Sequence, residues 1–206
     1  MSFTTLKVTD KGVLLFALHE ERFHNAGKEA IMAYHRFAAE AAPGIYNLYW
    51  DNKKMHIKTR GESRLFDGMP VRFIISPLAH THHRIEKPPS PSIYSGLIEP
   101  GIATLLTSAE GKEIYESCSA AVIAWDGKNI LKVPRDRPGV KSTMLELLNE
   151  LPHIKEQPIL RASDYPIALI NAVKCTCIVS MEGGKPFPDD QLERIRALYL
   201  ASARRA

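Results

Sequence analysis

Between Phe3 and Phe16 the apolar positions fall into two strand-like runs, Thr4 to Val8 and Val13 to Ala17. Asp10-Lys11-Gly12 joins them, and its glycine supplies the turn of a hairpin. From His19 the period changes: Phe23, Ala30, Ile31, Tyr34, Phe37 and Ala38 recur at helical spacing until Pro43-Gly44. That spacing predicts one long amphipathic helix whose apolar face packs on a sheet. Ile45 to Trp50, Met55 to Arg60 and Val71 to Ser76 are rich in β-branched and aromatic residues and predict three further strands, the first two separated by Asp51-Asn52-Lys53-Lys54.

Pro88, Pro89, Pro91 and Pro100 interrupt the pattern between Lys87 and Gly101, since proline removes a backbone donor and fixes φ. The interruption predicts two α/β subdomains, residues 1–90 and 91–206. Beyond it, Ala120 to Trp125 reads as a buried strand, Asp126-Gly127 as a turn and Ile130 to Val133 as the partner strand. Pro138-Gly139 leads a predicted helix with Met144, Leu147, Leu148 and Leu151 inward. Ile167 to Asn171 and Cys175 to Ser180 predict two more strands, and Pro188-Asp189-Asp190 opens a last helix with Leu192, Ile195, Leu198 and Tyr199 on one face. Runs of both periods within one chain define an α+β class, with no internal repeat.

Composition narrows the function. The 206 residues are 45% hydrophobic and 24% charged, which suits a folded chain. The net charge of +4 is spread along the chain with no basic run longer than Arg204-Arg205, so no nucleic-acid arm is expected and a small anionic ligand suits it equally well. Cys118, Cys175 and Cys177 are an odd count in which the last two stand too close in a strand to pair comfortably, which predicts a reducing, cytoplasmic setting. Neither a signal-peptide core nor a bilayer-length apolar run is evident, so no membrane association is expected.

Four segments carry a resemblance. Ser2-Phe3-Thr4-Thr5-Leu6-Lys7-Val8, followed by Leu18-His19-Glu20-Glu21-Arg22-Phe23, is similar to a Phe-Glu-Thr strand, a hairpin and a helix beginning His-x-x-Arg. Glu116-Ser117-Cys118-Ser119-Ala120-Ala121-Val122-Ile123 before Asp126-Gly127 is similar to an acidic strand motif that ends in Asn-Ile. Val133-Pro134 and Pro138-Gly139-Val140-Lys141-Ser142, leading into Thr143-Met144-Leu145-Glu146-Leu147, resemble a Thr-Pro, Pro-Gly-Ile-Thr-Arg and Leu-Glu-Leu succession. Ala162-Ser163-Asp164-Tyr165 and Ala168-Leu169-Ile170-Asn171-Ala172-Val173 resemble an acidic loop and a Leu-Ile-Asn-Ala strand. In this order they resemble the class IV pyridoxal-phosphate-dependent aminotransferases and aminodeoxychorismate lyases, whose D-amino-acid aminotransferase-like fold the chain is expected to share in a short form. The chain departs from the family at Thr4, which stands for its glutamate, and at Ala120 or Ala121, which stands for its asparagine.

The resemblance implies pyridoxal 5'-phosphate as cofactor, a small amino compound as substrate and a homodimer. Glu116 corresponds to the acid that pairs with the ring nitrogen, or is a strand-edge surface glutamate. Arg22 corresponds to a phosphate ligand, or is a solvent-facing arginine. Gly139, Val140 and Lys141 are expected to offer backbone amides at a helix start, and Thr176 a hydroxyl, to the same phosphate. The Schiff-base lysine is the open position: Tyr94-Ser95-Gly96-Leu97 lays Leu97 where the amine belongs, while Lys87 sits at roughly the right distance before Glu116. Two functions therefore stand side by side, an aminotransferase or lyase using Lys87, and a catalytically silent relative that binds a ligand or partner. A polar loop explains His80-Thr81-His82-His83 more simply than a metal, because no carboxylate or cysteine stands at zinc-motif spacing beside it.

Overall fold

In the computed structural model of the protein, the described residues are 2–81, 84–86 and 93–205. The chain runs β1 (Ser2–Thr9), β2 (Gly12–Val13), α1 (Phe16–His24), α2 (Lys28–Glu40), β3 (Gly44–Trp50), β4 (Met55–Arg60), β5 (Met69–Ile75) and β6 (Arg84–Ile85). It continues through β7 (Ala103–Thr107), β8 (Glu113–Ser117), β9 (Ala121–Trp125), β10 (Ile130–Lys132), β11 (Gly139–Val140) and α3 (Thr143–Leu147). It ends with β12 (Ile154–Glu156), β13 (Ile159–Leu160), β14 (Ile167–Asn171), β15 (Cys175–Ser180) and α4 (Asp189–Ala201). The class is α+β, as the two periodicities predict.

The first sheet has the order β2-β1-β3-β4. Its centre is the long antiparallel pair of β1 and β3, in register from Ser2 opposite Trp50 to Val8 opposite Gly44. Phe16 and Phe23 of α1 and Tyr34 and Phe37 of α2 are buried with Leu6, Val8 and Leu48 of this sheet. The helical apolar period therefore meets the strand period in one core, and Tyr34 satisfies its hydroxyl there on the Phe16 carbonyl at 3.0 Å.

Two expectations change here. The single long helix is two, because Gly27 at φ 92° caps α2 in a conformation that costs glycine little. The second strand of the hairpin stops at Val13, since Leu15 adopts φ 57° and starts α1 at Phe16. The hairpin turn also meets the end of the chain: Val13 and Arg204 exchange backbone hydrogen bonds of 2.8 and 3.0 Å. A Cβ at Gly12, where φ is +116°, would lie 2.2 Å from the Arg204 carbonyl oxygen.

The second sheet has nine strands in the order β12-β10-β9-β14-β15-β5-β7-β8-β13. β5, which the sequence groups with the first half, runs parallel between β15 and β7. α3 and α4 cover one face through Met144, Leu147, Leu192, Ile195 and Tyr199, while Leu105, Ile114, Val122 and Leu169 build a second core. β7, β8, β12 and β13 were not predicted; β7 and β8 form an antiparallel pair whose register shifts between Leu106 and Thr107. A third, two-stranded sheet pairs β6 with β11 in parallel, Arg84 beside Gly139 and Ile85 beside Val140. Among the described residues no helix is long and apolar enough to cross a membrane.

Candidate functional site

β8 carries Glu116 as a buried side chain, 4% exposed. Burying a carboxylate without partners is costly, and Glu116 has them on both oxygens. The Tyr94 hydroxyl donates to Oε1 and the Val140 N–H donates to Oε2 at 2.9 Å. Burial pushes the Glu116 carboxyl up to about 7, against the opposing pull of the Tyr94 hydroxyl, the Val140 amide and the positive charge of Arg84. Burial also raises the Tyr94 hydroxyl, and the neighbouring Glu116 raises it further.

The wall behind the carboxyl is Gly139, held at φ +145°. A Cβ there would stand 3.2 Å from both Cδ and Oε1 of Glu116 and 3.1 Å from Nη1 of Arg84, so glycine is required by contact and by conformation together. Arg84 reaches across from β6 and donates to the carbonyls of Val140 and Val133, each at 3.3 Å.

Arg22 enters from the last turn of α1. Its Nη2 donates to the Lys141 carbonyl at 2.6 Å and its Nη1 to the Phe3 carbonyl at 3.4 Å. Burial lowers the pKa of its guanidinium while Glu86 and Glu21 raise it. The Lys141 ammonium pairs with Glu86, and the Lys141 N–H donates to the Ile85 carbonyl at 3.0 Å. Arg22, Glu116, Gly139, Val140 and Lys141 are thus brought together, joined through the β6 and β11 pair.

The helix expected to begin at Pro138-Gly139 begins instead at Thr143, with Ser142 as its cap. Gly139 and Val140 are a strand, and the amides of Val140 and Lys141 are given to Glu116 and Ile85. Strand pairing to Arg84-Ile85, more than fifty residues back in the chain, overrides the local helix-start signal. Thr176 is on β15, opposite Ile170, and its hydroxyl accepts from Nε of Arg196 on α4 at 3.0 Å.

Lys87 lies outside the described residues, as do His82 and His83. Leu97 closes a short 3-10 turn, Ser95–Leu97, and its carbonyl accepts from Arg72 at 2.7 Å. Thr4 on β1 pairs through its hydroxyl with Nδ1 of His19 at 2.7 Å. Among the described residues no group of three or more histidine, cysteine or acidic side chains is arranged to hold a metal ion.

Sequence reasoning missed Arg84 as a neighbour of Glu116. It sits in a two-residue strand with no periodicity to find, and only pairing with β11 brings it to the site. Tyr94 had a signal, the tyrosine of the lysine segment, but its contact with Glu116 spans 22 residues and is tertiary.

Known structures share this architecture. A hypothetical aminotransferase from Mycobacterium tuberculosis in its apo form superposes with a TM-score of 0.68 at 15% identity, over 97% of this chain and 89% of the other. The same protein is known in a pyridoxal-phosphate-bound form and in a form with α-ketoglutarate and pyridoxamine phosphate bound. A putative branched-chain amino acid aminotransferase from Thermotoga maritima matches with a TM-score of 0.66 at 14% identity, over 97% of this chain and 86% of that one. 4-Amino-4-deoxychorismate lyase from Pseudomonas aeruginosa matches with a TM-score of 0.64 at 12% identity, over 95% and 88% of the two chains. No protein-family model and no curated protein matches the sequence. The chain therefore has the fold of the class IV aminotransferase and aminodeoxychorismate lyase structures.

Proposed function

We propose that the chain is a pyridoxal-phosphate-dependent protein of the aminotransferase or aminodeoxychorismate lyase type, acting on a small amino compound. The observation that carries this reading is a buried carboxyl, Glu116, gathered with the Arg22 guanidinium around one strand, β11. The residues fit the cofactor. A carboxylate has about four lone-pair positions, and Tyr94 and Val140 use one on each oxygen, which leaves acceptor capacity for a ring N–H. Gly139 keeps clear the space that a side chain would fill against Glu116. Arg22 gives two of its N–H groups to carbonyls and keeps others for phosphate oxygens.

When bound, the cofactor supplies an electron sink for the substrate carbon. Glu116 would hold the proton on the pyridine nitrogen, because a carboxylate in hydrogen-bond reach favours the cationic ring. Arg22 would fix the phosphate end, with Gly139, Val140 and Lys141 forming the frame between the two. Thr176, tied to Arg196 on the α4 side of the sheet, is left out of this arrangement. Lys87 is assigned the amine that holds and moves the substrate proton. It directly follows Glu86, whose carboxylate pairs with Lys141. The homodimer implied by the resemblance belongs to the same proposal and is tested by light scattering of the purified protein.

A second reading, a silent relative that binds a ligand without turning it over, is favoured by Leu97 at the position aligned with the family's lysine. The absorbance of purified protein with added pyridoxal phosphate, before and after borohydride reduction, separates the two. Reduction that fixes the cofactor on Lys87 supports the enzyme. Absence of a covalent label, with or without cofactor binding, supports the silent relative, which then serves to bind another ligand or a partner.

A further inference from the structure

Ser76 stands after the end of β5 and is 3% exposed; Tyr94, 2% exposed, precedes the short 3-10 turn; Glu116 is on β8. Three separate stretches of chain thus bring three buried polar side chains into a row. The Ser76 side chain stands beside the Tyr94 phenol and favours its ionisation, and the Tyr94 hydroxyl donates to Oε1 of Glu116. Ser76 is itself anchored by its N–H on the Thr107 carbonyl at 2.9 Å. Among the described residues the other groups that face Glu116 are the Val140 amide, the Arg84 guanidinium and the Cys118 thiol. Only Tyr94, among the described residues, bonds the carboxyl through a side chain, and the tyrosine ring holds its hydroxyl at a fixed reach.

We propose that Tyr94 is a positioning residue: backed by Ser76, it orients the Glu116 carboxyl and favours its ionised form, leaving the remaining lone pairs for a cationic ring N–H. The inference rests on Glu116 as the partner of the cofactor nitrogen, but the relay itself is a property of the protein without cofactor. A neutral carboxyl at this place would not keep a ring nitrogen protonated, so the relay sets the pH range over which the site works. The role is distinct from the one the aligned sequence suggests for Tyr94, as the marker of a nearby lysine.

The test is the titration of Glu116 followed by side-chain carboxyl NMR in wild type, Tyr94→Phe and Ser76→Ala, each checked for folding by circular dichroism. Removing a hydrogen bond to the charged form raises a carboxyl pKa. The wild-type midpoint lies near 7, where burial holds it. Tyr94→Phe raises it by about one unit or more, a tenfold gain in proton affinity, and Ser76→Ala by a smaller step in the same direction. A Tyr94→Phe midpoint within about 0.3 unit of wild type overturns the proposal, since a shift of that size is far below the worth of one charge-assisted bond. If Tyr94→Phe fails to fold, Ser76→Ala decides by the same criterion. The absorbance of added pyridoxal phosphate against pH is measured on the same samples. No cofactor binding together with a shifted Glu116 midpoint removes the functional reading and keeps the relay; binding with an unmoved midpoint does the reverse.

Discussion

Glu116 makes a quantitative prediction about stability. Its carboxyl titrates near the ordinary 4.5 in the unfolded chain and about 7 in the folded one, because burial disfavours the charge. A raised folded pKa means that the folded state holds the proton more tightly. The contribution to stability is therefore full below about pH 4.5 and is lost as pH rises through 7, with no further change above. Taking the shift from 4.5 to about 7 at about 1.36 kcal/mol per unit, the loss amounts to about 3 kcal/mol. Glu116→Gln keeps the shape and removes the titration. The assay is urea denaturation of both proteins at intervals from pH 4 to pH 9, reading the wild-type minus variant difference so that other titrating groups cancel. The difference should swing by about 3 kcal/mol in favour of the variant between these limits. A flat difference, below about 0.5 kcal/mol, refutes the premise that Glu116 is buried from water in the folded protein.

Three further outcomes are expected. Gly139→Ala combines positive φ with contacts of 3.1–3.2 Å to Arg84 and Glu116, and should cost about 2–4 kcal/mol, seen as a Tm lower by about 6–12 °C. Gly12→Ala places a Cβ 2.2 Å from the Arg204 carbonyl, so the end of the chain must detach from β2; amide exchange at Arg204 and Val13 should become fast, and slow exchange at both would count against the contact. At the β3–β4 turn, the bond from His56, aided by the amides of Lys54 and Lys53, holds the Asp51 carboxyl at about 2. A depressed folded pKa contributes stability above the ordinary carboxylate range, lost as pH falls toward 2, so the Asp51 carboxyl signal should titrate near 2 in wild type and closer to 4 in His56→Ala.

Much of the fold was legible in the chain. The strands Ile45 to Trp50, Met55 to Arg60, Ile167 to Asn171 and Cys175 to Ser180 announce themselves by β-branched and aromatic runs, and each occupies nearly the predicted span. The helix beginning at Pro188-Asp189-Asp190 is likewise present as α4. β7 and β8 were missed because Ala103–Thr107 and Glu113–Ser117 follow a proline-rich stretch whose breakers dominate the local signal. Pro138-Gly139 misled for the opposite reason: it looks like a helix start, and the strand it forms depends on a partner more than fifty residues away.

The sequence by itself determined the α+β class, the strongly periodic elements and the resemblance that singles out Arg22 and Glu116, because periodicity and short motifs are local properties that survive in a linear chain. Tertiary structure alone decided which groups surround the Glu116 carboxyl. Arg84, Tyr94 and the Val140 amide come from three distant segments, and their convergence depends on sheet pairing and on the space that Gly139 leaves open. The charge on a buried carboxyl is set by that three-dimensional neighbourhood of burial, donors and countercharge, and no reading of residue types along the chain contains it.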